Sequence, residues 1–469
     1  MSRINTNVSS LIAQRVLTKN NNSLNTSLQR LSTGLKINTG ADNPAGLIAS
    51  ENLRAEKAGI TQAIDNAGRA SNIIGTAEGG LSEVSSLLTE LQSLVSQTAN
   101  SGGLSLEEKQ ANQLQVDSIL GSINRIAGAT SFQGAKLLNG NYSYSTSGVA
   151  STSFNNVQIN SAKIPDGATV NVVVQVTASA QTGQLTYAAG AIAANGVTIE
   201  VAGNGGTTQL SFASGTAVSA VAASIVANKQ TTGVSAVVNA GNIEFSSTGF
   251  GSDQFVSVKA IAGTFSVTGG TSGKAFGKDA VVNVNGAAAN VSGKKVSYRS
   301  SELDLDLDIS SGLNGGKTKT FGVTGGGATF ALGSKVTESD KANIGIQSVS
   351  TSSLGDGVNG FLSSLASGGT NSLLSNNLVT SQKIIDESIK QVSQLRGRLG
   401  AFQKFTIGST INALGVAFEN ASAAQSAIQD TDFSAETANL TRSQILSSAA
   451  TTVLSQANSA PQAVLKLLG

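Results

Sequence analysis

Histidine, cysteine and tryptophan are absent from this chain of 469 residues, and each absence removes a class of chemistry. Without His or Cys there can be no Ser-His-Asp triad, no thiol nucleophile, no zinc-finger ligand set and no H-E-x-x-H site. Zero Cys also argues against a disulfide-stapled scaffold. Charged residues make up 12% and net charge is +2, so bulk electrostatics give no case for nucleic acid or an acidic membrane as partner. No stretch approaches the roughly 18 apolar residues of a membrane span. The opening MSRINTNVSSLIAQRV lacks the apolar core of a secretory signal, its longest apolar run being Leu11 to Ala13. The sequence therefore predicts no catalytic residue, no metal ligand and no cofactor site.

Leu, Ile, Ala, Ser, Asn, Gln and Gly are plentiful, and their spacing divides the chain into zones. No aromatic precedes Phe132. Leu53, Ile60, Ala67, Ile74, Leu81, Leu88 and Val95 recur every seven residues. Glu56, Ala63, Ala70, Ala77, Val84 and Leu91 follow three residues after the first six. This heptad seam predicts one long helix packed in coiled-coil fashion. Asp42-Asn43-Pro44 supplies its start and ANSGG (99–103) its end. Val116, Ile119, Ile123 and Ile126 continue a second helix. Near the other end Val392, Leu395, Leu399 and Phe402 keep the same spacing, and Ile407, Ile411, Leu414, Phe418 and Ala421 resume it after a shift. One bundle containing both sets is the expected arrangement.

Between them the period falls to two. ATVNVVVQV, GVTIEVAG, TQLSFASG, SAVVNAGNIEFSS and AVVNVNG read as short strands with Gly/Asn turns, interrupted by a helix over 216–230. The fold class is thus α+β multidomain: a coiled-coil-like helical rod from both chain ends with an inserted β-rich outer domain. The expected divisions are terminal helices at 1–42 and 430–469, a rod at 43–167 and 340–429 with a β-hairpin region, and an outer domain at 168–339.

The outermost segments are amphipathic but thinly apolar. Ile4, Val8 and Leu11, then Leu24, Leu28, Leu31 and Leu35, mark α-helical stripes, as do Leu446, Ala450, Val453 and Ala457. The chain closes on Val464, Leu465, Leu467 and Leu468. Such stripes struggle alone against an ordering cost of about 1–2 kcal/mol per residue. Contact with many copies of the chain would cover them. Two motifs that suggest chemistry have simpler readings. GLNGGKT (312–318) is one residue short of a phosphate loop and reads as a turn. SELDLDLDIS (301–310) alternates acids with aliphatics and reads as a half-buried strand with a solvated acidic face rather than a calcium site.

The motifs at both ends resemble those of bacterial flagellins. Residues 4–50 are similar to the family's N-terminal signature, notably Arg30-Leu31-Ser32-Thr33-Gly34-Leu35 and Asp42-Asn43-Pro44-Ala45-Gly46. TSFQGAKLLNG (130–140) resembles the exit from the second rod helix, IGIQSVSTSSLG (344–355) the strand re-entering the rod, and QANSAPQAVLKLLG (456–469) the family's C-terminus. Residues 195–260 look like an insertion motif shared by some flagellins and hook-associated proteins. The resemblance implies a structural subunit of the flagellar filament that polymerises with itself and catalyses nothing. It implies signal-free passage through the flagellar export apparatus, a cytoplasmic chaperone on the C-terminal segment, and contact with the filament cap and hook-associated proteins. It also implies that Ile4, Val8, Leu11, Leu24, Leu28, Leu31, Leu35, Leu446, Val453, Val464, Leu465 and Leu468 form the filament core, the closing stripe lying against the N-terminal helix and neighbouring subunits.

Flagellins sensed by the animal Toll-like receptor carry an Arg, a Leu and a Glu at the contact. The aligned positions here are Glu90, Leu94 and Gln115, which implies weak or no activation. The competing readings are a secreted adhesin or glycan-binding module using the β-rich middle, for which Tyr187 and Tyr298 are sparse aromatic support, and a hook–filament junction protein, which would not be expected to end in PQAVLKLLG.

Overall fold

A computed structural model describes residues 6–100, 103–165, 168–188, 191–192, 195–375 and 377–468, with side chains as far as residue 460. The chain divides into two units, one of residues 1–67, 331–340 and 408–469, the other of 68–330 and 341–407. The helices are α1 (Val8–Thr33), α2 (Pro44–Ala99), α3 (Leu106–Ala129), α4 (Val218–Ala227), the short α5 (Lys229–Thr232), α6 (Leu378–Ala401), α7 (Ser409–Gln429) and α8 (Phe433–Leu468).

The α2 seam forms as its spacing predicts. Ile60, Ala63, Ala67, Ala70, Ile74, Ala77, Leu81, Val84, Leu88, Leu91 and Val95 are all buried, whereas Glu56 is exposed and Leu53 half-buried. Asn43 begins the helix by accepting the Gly46 amide at 2.9 Å through its side chain. Before it, the Asp42 carboxylate accepts the Thr39 and Asn38 amides and the Thr39 hydroxyl, which holds its pKa below the ordinary range.

In the second unit, α2 from residue 68 onward packs with α3 and α6. Arg396 pairs with Glu78 at 2.8 Å, and Gln92 donates to Asp386 at 3.0 Å. A Ser105–Glu108 capping box starts α3. Buried Gln113 on α3 is bonded at both ends, donating to the Leu365 carbonyl and accepting from the Leu373 amide.

The shift in the C-terminal seam has a structural cause. Phe402–Gly408 is a π-helix between α6 and α7. Its wider turn absorbs the five-residue step from Phe402 to Ile407 and returns Ile407 to the buried face.

The β-rich part of the second unit holds two cores. In one, a five-stranded sheet in the order Ala287–Ala288, Val281–Val284, Val170–Ala178, Lys317–Gly326, Tyr144–Ser147 shares a core with a four-stranded sheet. The latter runs Asn290–Ser292, Lys295–Arg299, Leu303–Ile309, Phe154–Ala162. Phe154 meets Phe321 edge to face at 5.6 Å within it. In the other, two four-stranded sheets and α4 enclose Ile199, Val221, Ile225, Phe245 and Val256.

The position 168, expected as a domain boundary, lies within a shared core, because Phe154–Ala162 pairs along the whole of Leu303–Ile309 and Tyr144–Ser147 pairs with Lys317–Gly326. Residues 43–67 and 408–429 belong to the same compact unit as the chain ends.

The sequence suggests a solvated acidic face for the strand Leu303–Ile309, but that face is not fully solvated. Leu303, Leu305, Leu307 and Ile309 enter the core as expected, but the strand lies inside its sheet and its aspartates are half-buried. Arg299 pairs with Asp304 at 2.7 Å and with Asp306 at 3.0 Å, and Asn160 donates to both at 2.8 and 2.7 Å. Arg398 of α6, half-buried and lowered in pKa by desolvation, lends positive potential to both. The neighbours then separate. Burial raises the Asp304 pKa despite Asn160 and Arg299. At Asp306 burial also acts upward, but bonds from Ser297 and Asn160 with the Arg299 charge outweigh it and lower the pKa.

A lowered folded pKa adds stability above the unfolded value and loses it as pH falls through the folded value; a raised one acts oppositely. Asp306→Asn should therefore cost about 1–3 kcal/mol near neutrality, the loss of a charge-assisted network. Asp304→Asn should cost distinctly less. Urea unfolding of the β-rich part at pH 7 checks the order, and equal losses would contradict it. GLNGGKT forms a turn between two strands, Gly315 taking a bond from its amide to the Ser179 hydroxyl at 2.7 Å, with no helix following.

Candidate assembly surface of the terminal helices

Helices α1 and α8 pack along a heptad seam in which polar residues alternate with Leu and Ala. On α1 it runs Ser10, Ala13, Leu17, Asn20, Leu24, Ser27, Leu31; on α8 it runs Glu436, Leu440, Ser443, Ser447, Ala450, Leu454, Ala457. Ser10, Ala13, Ser27, Glu436, Ser443 and Ala450 are buried and the others half-buried. Hydrogen bonds join the pair throughout. Asn7 donates to the Ala457 carbonyl at 2.7 Å, Ser10 to Asn458 at 2.6 Å, Asn20 to the Leu446 carbonyl at 3.1 Å, and Ser447 to Asn21 at 2.7 Å. Arg30 reaches buried Glu436 at 3.7 Å.

The connections beyond the pair are tied as well. Leu35 and Asp430 form a β-bridge, flanked by bonds from the Lys36 amide to Gln429 and from the Thr431 amide to Gly34. The left-handed backbone at Gly34, φ 74°, ends α1 and turns the chain into this bridge.

A second set of large apolar side chains points away from the seam. Val8 is 56% exposed, Leu11 57% and Val453 59%; Ile12, Val16, Leu28, Ile445 and Leu446 are also exposed. A folded protein normally buries its aliphatics between helices and leaves small polar groups outside. Here hydrogen bonds, small residues and the half-buried Leu17, Leu24, Leu31, Leu440 and Leu454 hold the helices together, and a second set of aliphatics stays exposed. Exposed aliphatics gathered on the outer sides of two helices are more than the scattered single residues a soluble surface ordinarily shows.

The sequence reading treated as single stripes what are two faces. Leu24 and Leu31 lie on the seam, as do Ala450 and Ala457, whereas Val8, Leu11, Leu28, Leu446 and Val453 point outward and Leu35 sits half-buried in the bridge. Ile4 and the side chains of Val464, Leu465 and Leu468 lie outside the described residues. Val8 and Leu11 do not join the described seam between α1 and α8. The seam residues Ser10, Ala13, Asn20 and Ser443 went unread, because their signal is a strict three-four spacing that appears only when polar residues are admitted to it. The rod seam positions Leu53, Ile60, Ile74, Leu81, Leu88 and Val95 all lie on α2, buried except half-buried Leu53. Glu90 and Gln115 are exposed, but Leu94 is buried and offers little surface to a receptor.

A helical pair from the two chain ends, continuing into long helices and carrying an inserted β-rich region, defines the class of self-assembling structural subunits. Comparison with known proteins specifies it. The model of the bacterial flagellin N-terminal helical region matches residues 4–143, that of the C-terminal helical region 382–468, and the flagellin hook IN motif 196–249. Polar flagellin B/D of Vibrio parahaemolyticus is 30% identical and flagellin D of Vibrio cholerae 30%, each over 99% of both chains. Among solved structures, FliC from Burkholderia pseudomallei covers 71% of this chain at 16% identity, with a TM-score of 0.25 and 99% of that chain covered. The chain belongs to the bacterial flagellins. It is a structural subunit that self-assembles into the flagellar filament for motility, and it is extracellular as part of that filament. No described helix is long and apolar enough to cross a membrane.

Proposed function

We propose that the outward apolar faces of α1 and α8 are the contacts through which subunits join. The observation that carries this is a hydrogen-bonded seam of leucines, alanines and polar residues between two helices that leave Val8, Leu11, Ile12, Val16, Leu28, Ile445, Leu446 and Val453 exposed. On this reading the terminal pair forms the filament core together with Ile4, Val464, Leu465 and Leu468, the helices from 43 to 140 and 345 to 429 form a surrounding rod, and the β-rich region from 144 onward projects outward. The chain leaves the cell without a cleaved signal, its C-terminal segment covered by a chaperone until export, and adds below the filament cap onto a base of hook-associated proteins. It acts by packing and performs no catalysis. Deleting 460–469 should leave a soluble chain with its rod folded that cannot polymerise; normal filaments from that truncation, seen by negative-stain microscopy, would refute the reading.

Receptor recognition follows from the same surface chemistry. Glu90 places a negative charge where sensed flagellins carry a positive one, and such a reversal can cost several kcal/mol at an interface. A reporter-cell response weaker by at least about tenfold is expected, and Glu90→Arg should recover part of it. A full response from the native chain at ordinary flagellin doses would sink this.

A further inference from the structure

Charge is segregated along this near-neutral chain. Residues 1–36 and 433–469 hold seven Lys and Arg against a single acid, Glu436, leaving 23 basic and 27 acidic residues for the remainder. The structure shows where part of this charge lies. A groove of about 760 Å³ runs along the α1–α8 pair, lined by Arg15, Lys19, Arg30 and Arg442 with small polar side chains between them. Arg15, Lys19 and Arg30 follow one face of α1 at steps of four and eleven residues, so the row extends over roughly 22 Å. Glu436 is the only acid in the groove and is already occupied by Arg30. Among the described residues, Arg15, Lys19 and Arg442 have no ion pair.

We infer that this groove is a second, electrostatic docking surface, and that its occupant is an acidic stretch from residues 37–432 of a second copy of the chain. The inference rests on the assembly reading above. If terminal pairs gather around one axis, each brings a large positive excess and almost no acid of its own. Like charges so placed repel one another at close range. The only carboxylates within the homopolymer that can offset them stand on the rest of the chain, where the balance is negative. The groove thus adds to the apolar face a charge pattern that two terminal pairs cannot satisfy between themselves. It sets register: a neighbour must present acid where the cations lie. The apolar face supplies contact area, and the groove decides which part of the neighbour it meets.

The test uses filaments grown from an equal mixture of nitrogen-15 and natural-isotope chains, treated with a zero-length carbodiimide. Mass spectrometry should find mixed-isotope peptides joining Lys19 to an Asp or Glu of residues 37–432, and should not find them in the unassembled chain. Lys19 linked only within its own chain, or to nothing, would overturn the inference. In parallel, Arg15→Gln/Lys19→Gln/Arg442→Gln should slow seeded elongation about tenfold and flatten its dependence on salt. An unchanged rate with an unchanged salt slope would overturn it too. These outcomes are separate from failure of the assembly reading, which would show as native chains that do not elongate on seeds at all.

Discussion

Leu11→Asp/Ile12→Asp should abolish filament growth while leaving the unassembled chain as stable as before. Both side chains are exposed at the surface of α1 and outside its seam with α8. Surface changes of this kind normally move stability by no more than about 0.5 kcal/mol. On the proposed contacts the same positions are covered in the filament. Each loses about 2 kcal/mol of apolar burial, and the carboxylates add a desolvation cost. Together, about 4 kcal/mol raises the critical concentration roughly a thousandfold. The control is Ser10→Leu, which puts an aliphatic at a polar position of the seam. It removes the bond to Asn458 and should disturb the helix pair itself rather than the surface it presents. Sedimentation with seeds, alongside thermal unfolding of the soluble chain, separates the two. If the double Asp variant grew filaments at the native rate, the outward face would not be the contact.

The second large effect concerns register. Deleting Gly79 from α2 rotates everything beyond it by about 100°. That turns Leu81, Val84, Leu88, Leu91 and Val95 away from the core, although nothing lies within 4 Å of where a side chain at Gly79 would begin. Several aliphatics at about 1.5–3 kcal/mol each exceed the marginal stability of a typical domain, so the helical part of the second unit should fail to fold. Deleting Lys404, exposed within the π-helix, should do the opposite of what a deletion usually does. It shortens the step from Phe402 to Ile407 to four residues, converts the π turn to α, and leaves Ile407 on the buried face. Circular dichroism and a melting temperature within a few degrees of native are expected. A collapse equal to that of the Gly79 deletion would mean that the π turn is required by its surroundings.

Much of the fold was legible because the decisive pattern is periodic. The α2 seam could be read residue by residue, and the five-residue step at Phe402 was visible as an interruption before the π-helix explained it. The strands with strict alternation were readable too, whereas Phe154–Ala162, with Asn155-Asn156 and Gln158 among its aliphatics, was not. The acidic strand showed its leucine face but not the fate of its aspartates, since Arg299, Asn160 and Arg398 come from other elements. At the terminal helices hydrophobic spacing located the surface but merged its two faces. A helix pair whose seam mixes Leu with Ser, Asn and Ala gives a weak signal to any reading that looks for apolar stripes alone.

Because the chain contains no cysteine, a thiol placed on the outward face reports on that position alone. Leu11→Cys and Val453→Cys label the two helices where both are more than half exposed. The rate of maleimide reaction should be near that of a free thiol in the unassembled chain and should fall about a hundredfold or more in filaments, as it does when a site is reachable only through rare opening. Unchanged labelling in intact filaments would show that the exposed aliphatics of α1 and α8 stay in water after assembly, and would contradict the account at its centre.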